Sequence, residues 1–311
     1  MSTLTKARKK YCMYQLQNMD YMVEPGRDEN EGMMLITGNY IIMNDISGDL
    51  TSLPYFAGAL STANNIVRKI TINNLYSHST DKLYFGLFRR VINGNISNIN
   101  LIISNDRSVS NVKYKGAFCG SISSGQIQNC SSSGTLTANS SSKLTSETGG
   151  IAGRMTYGTI LGCSSNITIN SYGRAGGFVG YVSYGSIRNC TYNGRINMYY
   201  QQNTVTAVDD NATMGGIVGM LNGGTVISCC ASVNMVISYE SGAFNEKNLK
   251  PCLGYIVGRK ISGTISGAVV DNNSTILTNN LKDENGFLGI GRYKQLDYVS
   301  QDHTQLCGRA G

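Results

Sequence analysis

The chain is poor in charge, proline, histidine and tryptophan, and these shortages narrow the class of protein. Charged residues make up 14% of the 311 residues, with three prolines, two histidines and no tryptophan. Hydrophobic residues still reach 41%, which is enough for a core and excludes a disordered polar chain. Glycine, serine, threonine and asparagine replace the missing charge. Together with many β-branched residues, they predict an all-β chain with tight turns.

Long apolar runs are also absent, so no segment reaches the roughly 18 apolar residues of a membrane span. The first 20 residues start with charge but lack an apolar stretch, and we predict no secretory signal peptide there. The formal net charge is +7. Part of it lies in a short basic run near the start of the chain, which predicts a solvated terminus because no basic stripe follows it. We therefore expect no nucleic acid partner and no membrane insertion.

A repeated glycine-rich frame is the strongest signal in the sequence. It consists of Gly, two apolar residues, Gly, four variable residues, Gly, any residue, Ile or Val, two more residues and Cys. Copies run from Gly116 to Cys130, Gly150 to Cys163, Gly177 to Cys190 and Gly216 to Cys229, with looser copies at 86–99 and 254–268. Spacing between copies varies while the inner frame stays fixed. This behaviour is typical of solenoid coils, which absorb insertions in one loop.

Each repeat is too short for a core of its own and can bury its apolar residues only against neighbouring copies. We predict a parallel β-helix with three short strands per coil, right-handed by the crossover rule. The coils occupy 39–280, and the insertions 198–214 and 239–252 project from the stack. Residues 1–38 form an N-terminal cap with a short helical part, and 281–311 form a C-terminal cap or tail.

The stretch from Gly176 to Cys190, GGFVGYVSYGSIRNC, carries a family resemblance. It resembles the GLUG-motif repeats of bacterial surface proteins, adhesins and some immunoglobulin-A-protease-type exoproteins. The resemblance extends over roughly 39–280 and implies a β-solenoid, whereas the repeat has no chemistry of its own. Such proteins normally carry an export signal, whereas we predict none in this chain. It also lacks the protease motif H-E-x-x-H, because His78 and His303 are its two histidines.

Four cysteines share the last position of the frame: Cys130, Cys163, Cys190 and Cys229. Ile99 and Ala268 take that position in the outer copies, so we predict a core ladder of buried, reduced thiols. Parallel in-register neighbours have poor geometry for disulfides, and the cysteine spacings do not suit a metal site. We expect no metal and no cofactor.

Tyrosine is in excess, at 19 residues, and it suggests a contact surface. Tyr157 and Tyr184 share the position before the third glycine of the frame. The candidate binding residues are Arg154, Tyr157, Tyr181, Tyr184, Arg188, Tyr192 and Arg195. Exposed tyrosine and arginine suit contact with a glycan or a protein. The alternative is that these tyrosines only cover the sheet faces.

Acidic residues are too sparse to predict an active site. Glu147 is the single acid between 116 and 206, and Asp209 and Asp210 are adjacent on a predicted loop. We predict a non-enzymatic, adhesin-like binding or structural solenoid outside the cell, on a cell or virion surface. Its expected partner is a glycan or surface protein, with a homo-oligomer or larger assembly left open.

Two other functions stay open. A phage tail or fibre protein leaves the cell by lysis and needs no signal peptide. A carbohydrate-active β-helix enzyme, a lyase or glycosidase, would require distant carboxylates to converge in the fold.

Overall fold

The structure is a computed structural model that describes residues 8–19, 22–24, 33–77, 83–109, 112–138, 146–201, 213–240, 252–282, 288–292 and 305–306. Over these residues the chain winds as a parallel β-helix, which confirms the predicted fold class. The antiparallel pairs that the described residues form lie towards the two ends of the chain. Met22–Glu24 pairs with Met33–Ile36, and Thr275–Lys282 pairs with Leu288–Arg292.

A complete coil contains four short strands rather than the predicted three, and equivalent strands of successive coils stack into four faces. In one coil, Arg174–Gly176 belongs to face 1, Val179–Val182 to face 2, Ser186–Arg188 to face 3 and Thr191–Gln201 to face 4. Faces 2 and 3 are parts of one sheet because a single strand of the next coil, Val218–Ile227, spans both. Faces 1 and 4 are separate sheets.

The strands of each face follow in chain order. Face 1 contains Tyr84–Phe85, Tyr114–Gly116, Glu147–Gly149, Arg174–Gly176, Thr213–Gly215 and Cys252–Gly254. Face 2 contains Met33–Ile36, Tyr55–Phe56, Phe88–Val91, Cys119–Ile122, Ala152–Met155 and Val179–Val182. Face 3 contains Arg8–Lys10, Asn39–Ile42, Ala59–Thr62, Gly94–Ser97, Gly125–Gln128, Thr159–Leu161 and Ser186–Arg188. The long strands Val218–Ile227 and Val257–Ser266 continue faces 2 and 3.

Face 4 is built from the longest strands of the early and middle coils. It contains Ile46–Thr51, Arg68–Tyr76, Ile99–Ile103, Asp106–Arg107, Ser131–Thr137, Ser164–Ser171, Thr191–Gln201, Cys230–Glu240, Val269–Val270 and Thr275–Lys282. Gln305–Leu306 adds to its end by pairing with Val269–Val270.

The core consists of like residues stacked from coil to coil. The Ile or Val of the repeat frame forms one such column, in which Ile127, Ile160, Ile187 and Val226 pair in register and are fully buried. Successive coils are about 4.8 Å apart, the spacing of hydrogen-bonded strands, so each side chain packs directly on its counterpart. This stacking explains why the frame repeats so strictly.

The corner between faces 3 and 4 requires left-handed backbone. The residue before each ladder cysteine or its counterpart has φ between 51° and 60°, at Asn98, Asn129, Gly162, Asn189, Ser228 and Gly267. Glycine tolerates this region at no steric cost, and asparagine tolerates it better than most residues. The recurrence of Asn and Gly before the cysteine therefore reflects one turn geometry that repeats from coil to coil.

The second glycine of the frame brings face 1 against face 2. A Cβ on Gly153 would lie 2.4 Å from the backbone nitrogen of Lys115, and one on Gly180 would lie 2.6 Å from that of Thr148. Lys115 and Thr148 belong to face 1 strands of the preceding coils. Because no side chain separates the two backbones, the outer side chains of faces 1 and 2 are brought into contact.

A short helix, Met13–Gln17, covers the first coil and agrees with the predicted helical part of the N-terminal cap. It packs on the strand Ile46–Thr51, with Met13 and Leu16 buried, and the Gln17 side-chain carbonyl accepts the Thr51 N–H at 2.7 Å. None of the helices in the described part of the chain is long and apolar enough to cross a membrane.

Several predicted features lie outside the described residues. They comprise most of the two insertions, most of 281–311, Asp209, Asp210, His78 and His303.

Candidate functional site

Tyrosines and arginines form a continuous strip on the outer side of faces 1 and 2, which we call the Tyr–Arg strip. Face 1 contributes one column of side chains in register, and face 2 contributes a second column beside it. The members are Tyr84, Arg90, Lys113, Tyr114, Glu147, Arg154, Arg174 and Tyr181. Two of them, Arg154 and Tyr181, are predicted site residues.

The centre of the strip alternates guanidinium groups and phenol rings. The guanidinium carbon of Arg154 lies 4.6 Å from the ring centroid of Tyr114 and 4.8 Å from that of Tyr181. That of Arg174 lies 5.0 Å from the ring centroid of Tyr181. Each such cation–π contact stabilises by about 0.5–1 kcal/mol at an exposed site and more when desolvated. The contacts therefore hold both arginines in defined orientations.

Glu147 lies beneath these arginines and fixes them from the inner side. Its side chain is 1% exposed, whereas those of Arg154 and Arg174 are 30% and 16% exposed. Arg154 donates from Nε and Nη2 to the two carboxylate oxygens, both at 2.6 Å, and Arg174 donates from Nη1 at 2.8 Å. Burial alone would lower the pKa of Arg154, but the hydrogen bonds and charge of Glu147 outweigh it and raise that pKa. Arg154 is thus a permanent cation.

The strip continues towards the N-terminal coils. The rings of Tyr84 and Tyr114 have centroids 5.3 Å apart, and Tyr55 lies 5.9 Å from Tyr84 in an edge-on arrangement. Arg90 lies over the Tyr84 ring at 5.9 Å and Lys113 over the Tyr114 ring at 5.3 Å. The same pairing of cation and phenol therefore extends through several coils.

Tyr157 and Tyr184 form a second aromatic feature, which we call the corner pair, at the turn after face 2. Their side chains are 53% and 63% exposed, and their rings stack with centroids 5.5 Å apart and planes at 15°. Gly223 of the next coil leaves room for the Tyr184 ring, since a Cβ there would lie 3.0 Å from it. The neighbouring Asn222 donates to the Tyr181 hydroxyl at 3.0 Å. The corner pair therefore flanks the strip.

Three predicted site residues lie elsewhere. Arg188 is exposed on face 3 and Arg195 on face 4, so neither joins the strip. The prediction that Tyr192 belongs to an exposed surface is wrong, because its side chain is fully buried.

Strand alternation explains the position of Tyr192. It lies on the same inner side of face 4 as Ile196 and Met198, both fully buried. Its hydroxyl donates to the carbonyl of Ile167 at 2.9 Å, and burial raises its pKa. The corner glycine Gly177 leaves space for the ring, since a Cβ there would lie 2.3 Å from the ring carbon Cγ. Tyr192 is therefore a core residue with a satisfied hydroxyl.

The four frame cysteines Cys130, Cys163, Cys190 and Cys229 are buried and not in disulfides. Each thiol lies within hydrogen-bond distance of the carbonyl two residues earlier, as Cys190 does at 3.1 Å from the Arg188 oxygen. Burial, with the neighbouring Cys163, raises the pKa of Cys130. The described residues contain no group of three or more His, Cys, Asp or Glu that could hold a metal ion.

A buried ion pair that the sequence did not predict joins Asp106, at the end of one coil of face 4, to Lys115 in face 1. The two side chains are 6% and 1% exposed, with Nζ 2.8 Å from Oδ2. Lys115 also donates to the Ser108 hydroxyl and to the Thr137 carbonyl. Burial lowers the pKa of Lys115 against the opposing effect of Asp106. With three acceptors around one ammonium, this pair ties the end of face 4 to face 1.

Comparisons with known proteins agree with the coil architecture. The GLUG motif matches residues 171–197, one full coil that includes Arg174, Tyr181 and Tyr184, and this confirms the predicted resemblance. The crystal structure of a proposed immunoglobulin A1 protease from Bacteroides ovatus is similar, with a TM-score of 0.59 and 16% identity. The match covers 89% of this chain and 78% of that chain, and at this identity it shows the fold alone. No curated protein matches the chain.

Proposed function

We propose that this β-helix, which carries the GLUG motif, is a non-enzymatic binding protein of a cell or virion surface. Its contact surface for a glycan or a protein partner is the Tyr–Arg strip. The observation that carries the proposal is the fixing of Arg154 by Tyr114, Tyr181 and Glu147 at once. A structural coil needs apolar stacking inside and solubility outside, and it does not need such a pre-oriented outer row.

Rigidity supports the same conclusion. Ordering flexible side chains on binding costs about 0.5–1.5 kcal/mol for each rotamer-rich group. In the strip, Arg154 and Arg174 are already held by Glu147, and both arginines lie in hydrogen-bonded strands. Most of this cost is therefore met on folding, and weak contacts repeated along the stack can add up.

The environment of Glu147 supports binding rather than catalysis. Among the described residues of faces 1 and 2 beyond Tyr84, it is the one acidic side chain. Both of its oxygens accept hydrogen bonds from arginines. A general acid or base must reach a substrate proton, and this carboxylate is covered by the two guanidinium groups. The strip is thus suited to holding a ligand and not to proton transfer.

The test compares two double variants of the full chain for binding to host-cell surfaces and a glycan array. Tyr84→Ala with Tyr181→Ala removes two phenols from the strip, and Tyr157→Ala with Tyr184→Ala removes two from the corner pair. We expect the strip variant to lose binding and the corner variant to keep most of it, with near-native circular dichroism in both.

Two results would contradict this assignment. If the corner variant alone loses binding, the contact surface is the corner pair and the strip is structural. If both variants bind as the parent does, the tyrosines only cover the sheet faces.

A further inference from the structure

The exposed chemistry of the Tyr–Arg strip is more specific than a general contact surface. Its cations Arg90, Lys113, Arg154 and Arg174 reach the outer side, whereas its acid, Glu147, is 1% exposed beneath two of them. Among the described residues of the strip, a ligand therefore meets guanidinium, ammonium and phenol groups without an exposed carboxylate. Guanidinium groups pair with planar or tetrahedral oxyanions in fork geometry, and phenol hydroxyls both donate to and accept from alcohols.

The cations also repeat along the axis of the stack. Arg90 and Arg154 occupy one register column of face 2, separated by the single coil of Ser121. Two coils correspond to about 9.6 Å at the strand spacing of parallel sheets. Such a row suits an extended chain whose negative charges recur at regular intervals, and the strip extends over successive coils rather than ending in a pocket.

We propose that the ligand is a linear acidic polysaccharide, with sulfate or carboxylate groups, lying along the Tyr–Arg strip parallel to the stack. The inference rests on the proposed binding function and names the ligand class of the same site. Arginines contact the acidic groups, and the hydroxyls of Tyr84 and Tyr181 contact the sugar hydroxyls between them.

The state of the aromatic rings separates this ligand from single-stranded nucleic acid, which is also a linear polyanion. Nucleic acid sites for single strands offer open aromatic faces on which bases stack. Here guanidinium groups lie over the faces of Tyr114 and Tyr181, at 4.6 to 5.0 Å from the ring centroids. These faces are therefore covered, and a base would have to displace an arginine to stack on them, whereas a sugar bound through hydrogen bonds would not.

The experiment measures binding of the immobilised full chain to five polymers at about 0.15 M salt, where long-range attraction is screened. They are heparin, polygalacturonate, neutral dextran, polyglutamate and a single-stranded oligodeoxynucleotide. The charge variant is Arg90→Gln with Lys113→Gln. It spares Arg154 and Arg174, which hold the Glu147 carboxylate. Lys113 meets Glu147 through its backbone carbonyl, which accepts the Glu147 N–H at 2.7 Å and stays in place in the variant. The matched control is Arg188→Gln with Arg195→Gln, which removes the same charge from faces 3 and 4. Arg188 is a close match for Arg90, because the Nε of each donates to a serine hydroxyl, at 2.8 and 2.6 Å.

We expect heparin or polygalacturonate to bind the parent, dextran not to bind, and polyglutamate and the oligonucleotide to bind at least about tenfold more weakly. The charge variant should weaken acidic-glycan binding about tenfold, and the control variant less than about twofold. Equal losses in both variants would show that net charge alone attracts the polymers, and the inference would be wrong. Equal binding of polyglutamate or oligonucleotide would overturn it as well.

The failure of this inference differs from failure of the proposed function. If no acidic glycan binds while the Tyr84→Ala/Tyr181→Ala variant still loses binding to host cells, the ligand class is wrong and the contact surface stands. If that variant also keeps its cell binding, both proposals fall.

Discussion

Replacing Glu147 by glutamine should destabilise the protein strongly although it changes a single atom. The carboxylate accepts three charge-assisted hydrogen bonds, at 2.6, 2.6 and 2.8 Å, and is 1% exposed. Glutamine would turn one acceptor into a donor that faces a guanidinium group. It would also leave the positive charges of Arg154 and Arg174 without a counter-charge.

The magnitude follows from the burial of the partners. Removing one member of a fully buried ion pair costs about 3–5 kcal/mol. Arg154 and Arg174 keep 30% and 16% of their side chains in solvent, which screens part of this loss. We therefore expect a fall of about 2–4 kcal/mol in the free energy of unfolding, or a shift of roughly 1 M in the urea midpoint.

Urea unfolding followed by far-ultraviolet circular dichroism measures this shift. The matched control is Asp49→Asn, the same chemical change at an exposed carboxylate that accepts a hydrogen bond from Asn74 at 2.9 Å. It should cost less than about 0.5 kcal/mol. Adding Arg154→Gln to Glu147→Gln should cost less than the sum of the two single changes, because the pair is coupled. A midpoint for Glu147→Gln no lower than that of Asp49→Asn would refute the reasoning.

Two further predictions concern the corner and the core, and both use the same unfolding measurement. Asn189→Val should lower the free energy of unfolding by about 1–3 kcal/mol, because φ is 53° there, whereas Asn189→Gly should stay within about 1 kcal/mol; equal effects of the two would contradict a conformational cause. Ile187→Ala should cost about 2–5 kcal/mol, because the side chain is fully buried, and Cys190→Ala less than half of that. Cys190→Ser should fall between them, since the Arg188 carbonyl lies 3.1 Å from the sulfur as a ready acceptor.

The stacking of the coils could be predicted because the frame residues repeat in type as well as in spacing. Ile127, Ile160 and Ile187 recur at one position of the frame, and they form one buried column. The burial of Cys163 and Cys190 follows from the same periodicity, since Ile99 and Ala268 replace cysteine in the outer coils. Repeating positions thus place faces 2, 3 and the start of face 4 without knowledge of the structure.

The Tyr–Arg strip was only partly predicted, because no residue type recurs through all coils on the outer side of face 1. Tyr84, Tyr114, Glu147 and Arg174 pair in register just before the frame, yet their chemistry changes from phenol to carboxylate to guanidinium. Only the fold shows that they stack and that Gly153 and Gly180 bring them against face 2. The fourth strand of each coil was not predicted for a related reason, because the face 1 strand precedes the repeated frame.

The error at Tyr192 had a different origin, because the signal was present in the sequence. Tyr192 and Ile196 are four residues apart on one strand, and two-residue alternation places them on the same side. Weighting this alternation above the general excess of tyrosine would have assigned it to the core. Local periodicity is a better guide to orientation than composition in a strand of this length.

The corner between faces 4 and 1 has a consequence for how such proteins diversify. The chain passes from Ser164–Ser171 to Arg174–Gly176 in two residues, but between Thr191–Gln201 and Thr213–Gly215 it uses eleven. Both crossings return to face 1 in register, so segment length at this corner is decoupled from the geometry of the stack. Because each crossing ends at a face 1 strand, natural selection or an engineer can lengthen or shorten this segment while every other coil keeps its place.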